Sequence, residues 1–173
     1  MKYFPFEHIT YRSTLDANTI LNRLGENIEP VKTSKMTRIA KLAGSFGSNV
    51  HKPYSGSIHG MSFSIQRIIN YRNSFLPKIE GELEEDLFGT TITVKMKPHL
   101  AILVFMSIWL GFVGLFLLAM VAVSIRKETF EIITLIPVFM LLFGYGLITF
   151  GFKHESLKSK KYLAELFEAE VVG

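Results

Sequence analysis

Cysteine is absent from the 173 residues, which excludes disulfides, thiolate metal sites and a cysteine nucleophile. Charge is absent from two long stretches: residues 100–125 and 132–152 contain no Asp, Glu, Lys, Arg or His. Acidic residues are absent from residues 31–53, although Lys32, Lys35, Arg38, Lys41 and Lys52 all fall there. Catalytic patterns are missing too. His8, His51, His59, His99 and His154 are scattered, with no second histidine at metal-ligand spacing. There is no nucleophile elbow and no dinucleotide fingerprint, and Gly44-Ser45-Phe46-Gly47 lacks the Lys-Ser/Thr of a phosphate loop. These absences predict a protein that is not an enzyme and carries no cofactor or metal.

The two uncharged stretches organise the chain. At about 1.5 Å of helical rise per residue they would measure about 39 and 31 Å, against a hydrocarbon core of about 30 Å. A soluble chain of this size has no partner layer large enough to bury both, so the spacing predicts a transmembrane helical hairpin. Gly111, Gly114, Gly144 and Gly146 offer small surfaces for close approach, and Ser107 with Gly111 forms a small-xxx-small pair. The expected partners are therefore membrane lipids, and either another protein or a second copy docked through the hairpin. Neither stretch has an ionisable residue to mark an ion path, which argues against a pore.

Orientation follows from the flanking basic residues. Lys95, Lys97, Lys153, Lys158, Lys160 and Lys161 lie outside the hairpin ends, whereas the connecting loop offers only Arg126 and Lys127. Both termini are expected in the cytoplasm, with the 126–131 loop on the far side. The opening residues lack an apolar run resembling a signal peptide, which agrees with that placement. The net charge of +4 is uneven: residues 1–99 carry 13 Lys or Arg against 9 Asp or Glu, whereas the remainder balances.

Residues 1–99 read as a cytoplasmic α+β domain. A strand is expected over residues 3–12, rich in aromatic and β-branched residues. A helix is expected over 14–24, opened by Ser13 and Asp16 and closed at Gly25, with Ala17, Ile20, Leu21 and Leu24 on its apolar stripe. The basic segment 31–53 reads either as a solvated connection or as a contact with anionic headgroups through Lys32, Lys35, Arg38 and Lys41; the solvated connection is the plainer reading. Nucleic acid is not an expected partner, because aromatics do not interleave with these charges.

From Tyr54 the pattern has period two, with a phase switch at Gly60 that predicts a turn or bulge. Straight alternation then places Arg67 on the apolar face with Phe63, Ile65, Ile69 and Tyr71. A guanidinium there needs an acidic partner or a bound anion, or must rest its stem on apolar surface and hold its head in water. The last is the plainer reading, and the functional alternative is a ligand or headgroup contact made by Arg67, Tyr71 and Arg72. Ile79, Gly81 and Leu83 alternate with Glu80, Glu82 and Glu84, a turn follows around residues 85–89, and Ile92, Val94 and Met96 form the returning strand. Three carboxylates on one strand face sit in water more often than they hold a metal.

Residues 153–173 predict a separate cytoplasmic helix with Ser156, Ser159, Leu163, Leu166 and Phe167 on one stripe, packing back on the domain. The expected fold is thus an α+β membrane protein: an antiparallel sheet with an N-terminal and a C-terminal helix, and a two-helix hairpin inserted before the last helix.

Phe63-Ser64-Ile65-Gln66-Arg67, Tyr71-Arg72-Asn73-Ser74-Phe75-Leu76-Pro77-Lys78-Ile79-Glu80-Gly81 and Gly89-Thr90-Thr91-Ile92, followed by two spans, resemble small uncharacterised bacterial membrane proteins. That resemblance implies a bacterial inner membrane and carries no activity. More distantly, an opening strand and helix, an antiparallel sheet and a closing helix resemble helix-grip domains that hold hydrophobic ligands. The expected function is therefore a non-catalytic membrane-anchored interaction module; the alternative is a lipid-binding or lipid-handling protein with a cavity between the sheet and the C-terminal helix.

Overall fold

The computed structural model describes residues 5–30, 52–129 and 132–172. Its elements run β1 (Glu7–Ser13), α1 (Ala17–Asn27), β2 (Ile28–Pro30), β3 (Tyr54–His59), β4 (Ser62–Arg67), β5 (Lys78–Asp86), β6 (Gly89–Lys97), α2 (Leu100–Lys127), a 3-10 turn (Ile132–Thr134), α3 (Leu135–Leu166) and β7 (Ala169–Val171).

One seven-stranded sheet has the order β2-β3-β4-β5-β6-β1-β7. It is mixed, which corrects the expected antiparallel sheet: β2 and β3 pair in parallel, Ile28 opposite Tyr54. A parallel neighbour needs a long crossover, and the whole of residues 31–53 separates the two strands. Every other pairing is antiparallel. The phase switch at Gly60 is a tight turn, with the glycine at φ +56° joining β3 to β4.

One face of the sheet is covered by α1 and by the C-terminal half of α3. Tyr11, Ile20, Leu24, Phe63, Ile65, Ile79, Ile92, Phe152, Leu163 and Phe167 form this core. Phe63 lies directly opposite Gly81 in the ladder, and a Cβ at Gly81 would come within 2.2 Å of the Phe63 ring, so the bare glycine lets that ring lie flat across β5. The opposite face presents Ser62, Ser64, Glu80, Glu82, Thr91, Thr93 and Lys95, with Glu80 held by Lys78 at 2.9 Å and Lys97 at 2.8 Å.

Strand β1 is Glu7–Ser13 where 3–12 was expected, and three further boundaries move. Helix α1 begins at Ala17, because Asp16 rather than Ser13 caps it, accepting from the Thr19 backbone N–H at 3.0 Å and its hydroxyl at 2.6 Å. The Ser13 hydroxyl instead donates to the Phe167 carbonyl at 2.6 Å. Gly25 lies inside α1. The expected separate C-terminal helix does not exist as such: α3 runs unbroken from Leu135 to Leu166, through the change from apolar to charged sequence. Lys153, His154, Glu155 and Ser156 are all compatible with a helix, so the compositional boundary is not a backbone boundary. Beyond Phe167 the chain turns at Glu168, φ 47°, and adds β7 to β1.

Helices α2 and α3 are long and apolar enough to cross a membrane. They pack on each other, and the buried residues of their apolar stretches include Met106 and Val113 of α2 and Pro137, Gly144 and Ile148 of α3. Gly144 is the close approach, since a Cβ there would come within 2.5 Å of the Trp109 ring. Gly111, Gly114 and Gly146 face open space instead.

Candidate functional site

The strand parity of β4 puts Arg67 on the covered side of the sheet, where it meets α3 one turn past Phe152. There Glu155, with no exposed surface, receives the Arg67 guanidinium, Nη1 to Oε2 at 2.6 Å. The connection between β4 and β5 brings Tyr71 to the same carboxylate, and its hydroxyl donates to Oε1. Lys158 Nζ approaches Oε1 at 3.4 Å, and His154 Nε2 lies 4.0 Å from it. Of the three readings open for Arg67, the acidic partner is the one present, a residue 88 positions away, rather than the plainer one that held its head in water alone. Arg67 keeps 30% of its side chain exposed, so part of its head also meets water.

Burial by itself would push the Glu155 carboxyl up, but the hydrogen bonds from Tyr71 and Arg67 outweigh it and hold the group below its ordinary value. The same bond works in the opposite sense on Tyr71, whose hydroxyl is harder to ionise beside a carboxylate. Burial likewise raises Tyr54, which pairs with Arg67 across the β3–β4 ladder.

The rest of the connection is pinned to α3 as well. Asn73 donates through Nδ2 to the Gly151 carbonyl at 3.1 Å, while its Oδ1 accepts from the Phe75 backbone at 2.9 Å. Phe75 rests on Gly151, where a Cβ would come within 2.9 Å of its ring. Opposite this contact, Lys153 bonds Glu7 of β1 at 2.6 Å. The first charged turns of α3 are thus tied to β1, to β4 and to the 68–77 connection.

Of the expected contact residues, Arg67 and Tyr71 come together. Arg72 is exposed beside them. Lys32, Lys35, Arg38 and Lys41 lie outside the described residues. Glu155, Lys158 and Asn73 were not singled out by sequence. Glu155 could have been, because it falls on the stripe of Phe152, Ser156, Ser159 and Leu163, an acid on an apolar face answering a base on another.

Between sheet and α3, where the lipid-binding alternative placed its cavity, Tyr11, Phe63, Phe152, Leu163 and Phe167 pack together. The Tyr11 and Phe167 rings meet edge to face at 5.9 Å. A groove lies instead on the outer side of α3. It has about 740 Å³, bounded by Asn73 and Phe75 of the connection and by Phe139, Phe143, Gly146 and Phe150 of the helix. Among the described residues no three His, Asp or Glu side chains gather as a metal-binding group. The Arg67–Glu155 cluster is an ion pair braced by the Tyr71 hydroxyl. What it can do is lock a loop and a helix together while leaving cationic surface outside. No protein-family model, no curated protein and no solved structure matches the chain.

Proposed function

We propose that the chain is an integral membrane protein of a bacterial inner membrane that works, without catalysis of its own, as an anchored docking platform. Helix α2 and the apolar N-terminal half of α3 span the bilayer, and the α+β domain stands on the cytoplasmic side with both ends of the chain. The uncharged stretches and their exposed surface support the spanning reading: Phe105, Phe112, Phe116, Phe139, Phe143 and Phe150 are all more than half exposed. The excess of basic residues outside the hairpin supports the orientation. The sequence resemblance supports the bacterial setting.

The observation that carries the docking role is the tip of the β5–β6 hairpin. Leu87 and Phe88 form its two-residue turn and are 94% and 80% exposed. Gly89, at φ 135°, supplies the unusual backbone angle there, so the turn itself makes no demand for two large apolar side chains. Strand β6 runs from this tip to the start of α2, which separates the tip from the membrane entry by about 30 Å. Exposed Glu84, Glu85 and Asp86 flank it, which suits an apolar pocket with a basic rim on a partner protein. A photo-crosslinking side chain at Phe88, in the full chain in its own cells, is expected to give one discrete protein adduct. The same group at exposed Arg12 should give none, and the adduct should disappear when Glu84 and Glu85 are changed to Lys. No adduct at Phe88, or one indifferent to the charge reversal, would remove the docking role.

A further inference from the structure

The groove outside α3 lies at a particular height. Phe150 and Gly151 belong to the last turn of the uncharged stretch, and Lys153 is the first charged residue after it. The groove is therefore apolar below and reaches the level at which charge begins. Its outer wall is fixed, since Asn73 uses both ends of its amide and Phe75 is seated on Gly151. Its floor has a notch at Gly146, where an added Cβ would meet no atom within 4 Å.

Above the floor the surface becomes cationic. Arg72, next in sequence to Asn73, is exposed. His154 stacks on the Phe150 ring, centroids 6.3 Å apart and planes 12° from parallel, with 57% of its side chain exposed. Lys158, one turn further, is 43% exposed. The acid near them, Glu155, is fully buried; Arg67 and Tyr71 engage it, and Lys158 reaches the same carboxylate at 3.4 Å with His154 at 4.0 Å, so the exposed part of these two side chains is what faces the rim. An apolar trough beneath a basic rim matches the two halves of an anionic phospholipid.

We propose that this groove holds one acyl chain of an anionic phospholipid, with the phosphate at the rim made by Arg72, His154 and Lys158. The inference rests on the membrane-spanning reading of α2 and α3 and adds a ligand to it. The test is native mass spectrometry of the full chain in detergent, titrated with dioleoyl phosphatidylglycerol and, separately, dioleoyl phosphatidylcholine. The wild type is expected to retain one phosphatidylglycerol in preference to phosphatidylcholine. Gly146→Phe fills the notch and is expected to abolish retention, whereas Gly111→Phe, equally open but on α2, retains the lipid. Arg72→Ala, a change at an exposed position, is expected to cut the preference about fivefold, the worth of one basic residue near an anionic surface.

Equal retention of the two lipids overturns the proposal, as does retention undiminished in Gly146→Phe. A lipid-free dimer that Gly146→Phe converts to monomer also overturns it, and assigns the groove to a second copy. Should Gly146→Phe fail to fold, Arg72→Ala still decides, because an unchanged preference contradicts the phosphate position. Alkaline carbonate extraction separates the two levels. Wild type released from membranes removes the spanning reading itself, whereas wild type that stays in the pellet but shows no lipid preference removes the groove alone.

Discussion

Arg67 and Glu155 each look misplaced on their own element, and each accounts for the other. Glu155 has no exposed surface, so it depends on its donors, whereas Arg67 keeps partial access to water. The costs of removing them are therefore unequal. Arg67→Ala leaves a buried carboxylate with Tyr71 and Lys158 and is expected to cost about 2–4 kcal/mol, below the full penalty of an orphaned buried charge. Glu155→Gln keeps the shape, lets Arg67 turn toward water, and should cost about 1–2 kcal/mol. In a double-mutant cycle read by thermal denaturation in detergent, the pair should couple by about 1–3 kcal/mol at pH 7. The sign with pH follows from the lowered Glu155 carboxyl: its contribution is present above the ordinary value of 4.5 and is lost as pH falls through the depressed value in the folded protein. The coupling should accordingly shrink below about pH 4.5. Coupling that is absent at pH 7, or unchanged at pH 3, would contradict this arrangement.

Among the elements, α3 does two jobs on one backbone. Its N-terminal half packs on α2, and its C-terminal half supplies Phe152 and Leu163 to the core of the domain. An interruption between the halves should uncouple them. His154 is the position at which to ask, because its side chain is 57% exposed and the Phe150 ring it stacks on is itself exposed. His154→Pro removes an interior helix bond and is expected to cost about 3 kcal/mol or more, whereas His154→Ala should be near neutral. Thermal denaturation of both variants checks this, and equal midpoints would mean that α3 is already broken there. The same helix shows why some of the sequence reading moved. The stripe of Ser156, Ser159, Leu163, Leu166 and Phe167 was legible from its spacing, and all but the half-buried Leu166 are buried. The absence of a break before it was not legible, because an abrupt change in polarity constrains solvent contact and leaves φ and ψ untouched. Strand β7 was equally hidden. Three residues are too few to show a period, and they are extended because the Phe167 carbonyl is tied to Ser13 and the segment pairs with β1.

At the scale of the whole molecule, the domain and the long helices are joined at one level. Lys153–Glu7, Arg67–Glu155 and Asn73–Gly151 all fall in the first charged turns of α3 or directly before them. A domain held this way has its orientation to the helices set by packing, so the Leu87–Phe88 tip is presented at a definite distance from the helix ends. The orientation to the membrane can be tested directly. Reporter fusions at Gly173 and within the 126–131 loop are expected to report opposite sides, with the Gly173 fusion cytoplasmic. Matching signals from the two sites would overturn the hairpin, and opposite signals with the Gly173 fusion outside would invert the topology.

Sequence alone determined the two long apolar helices, the apolar parity of β4, the stripe on the end of α3 and the polar face of β5. Each is a matter of composition or period over neighbours along the chain, and such patterns state which surfaces must leave water. Only the tertiary structure decided that β2 lies parallel to β3, that the groove is outside α3 rather than beneath it, and that Glu155 is the residue Arg67 meets. Those are choices among distant partners. The free energy of burying a charge demands a counter-charge, but nothing local names which of 15 acids will be within reach once the chain has closed.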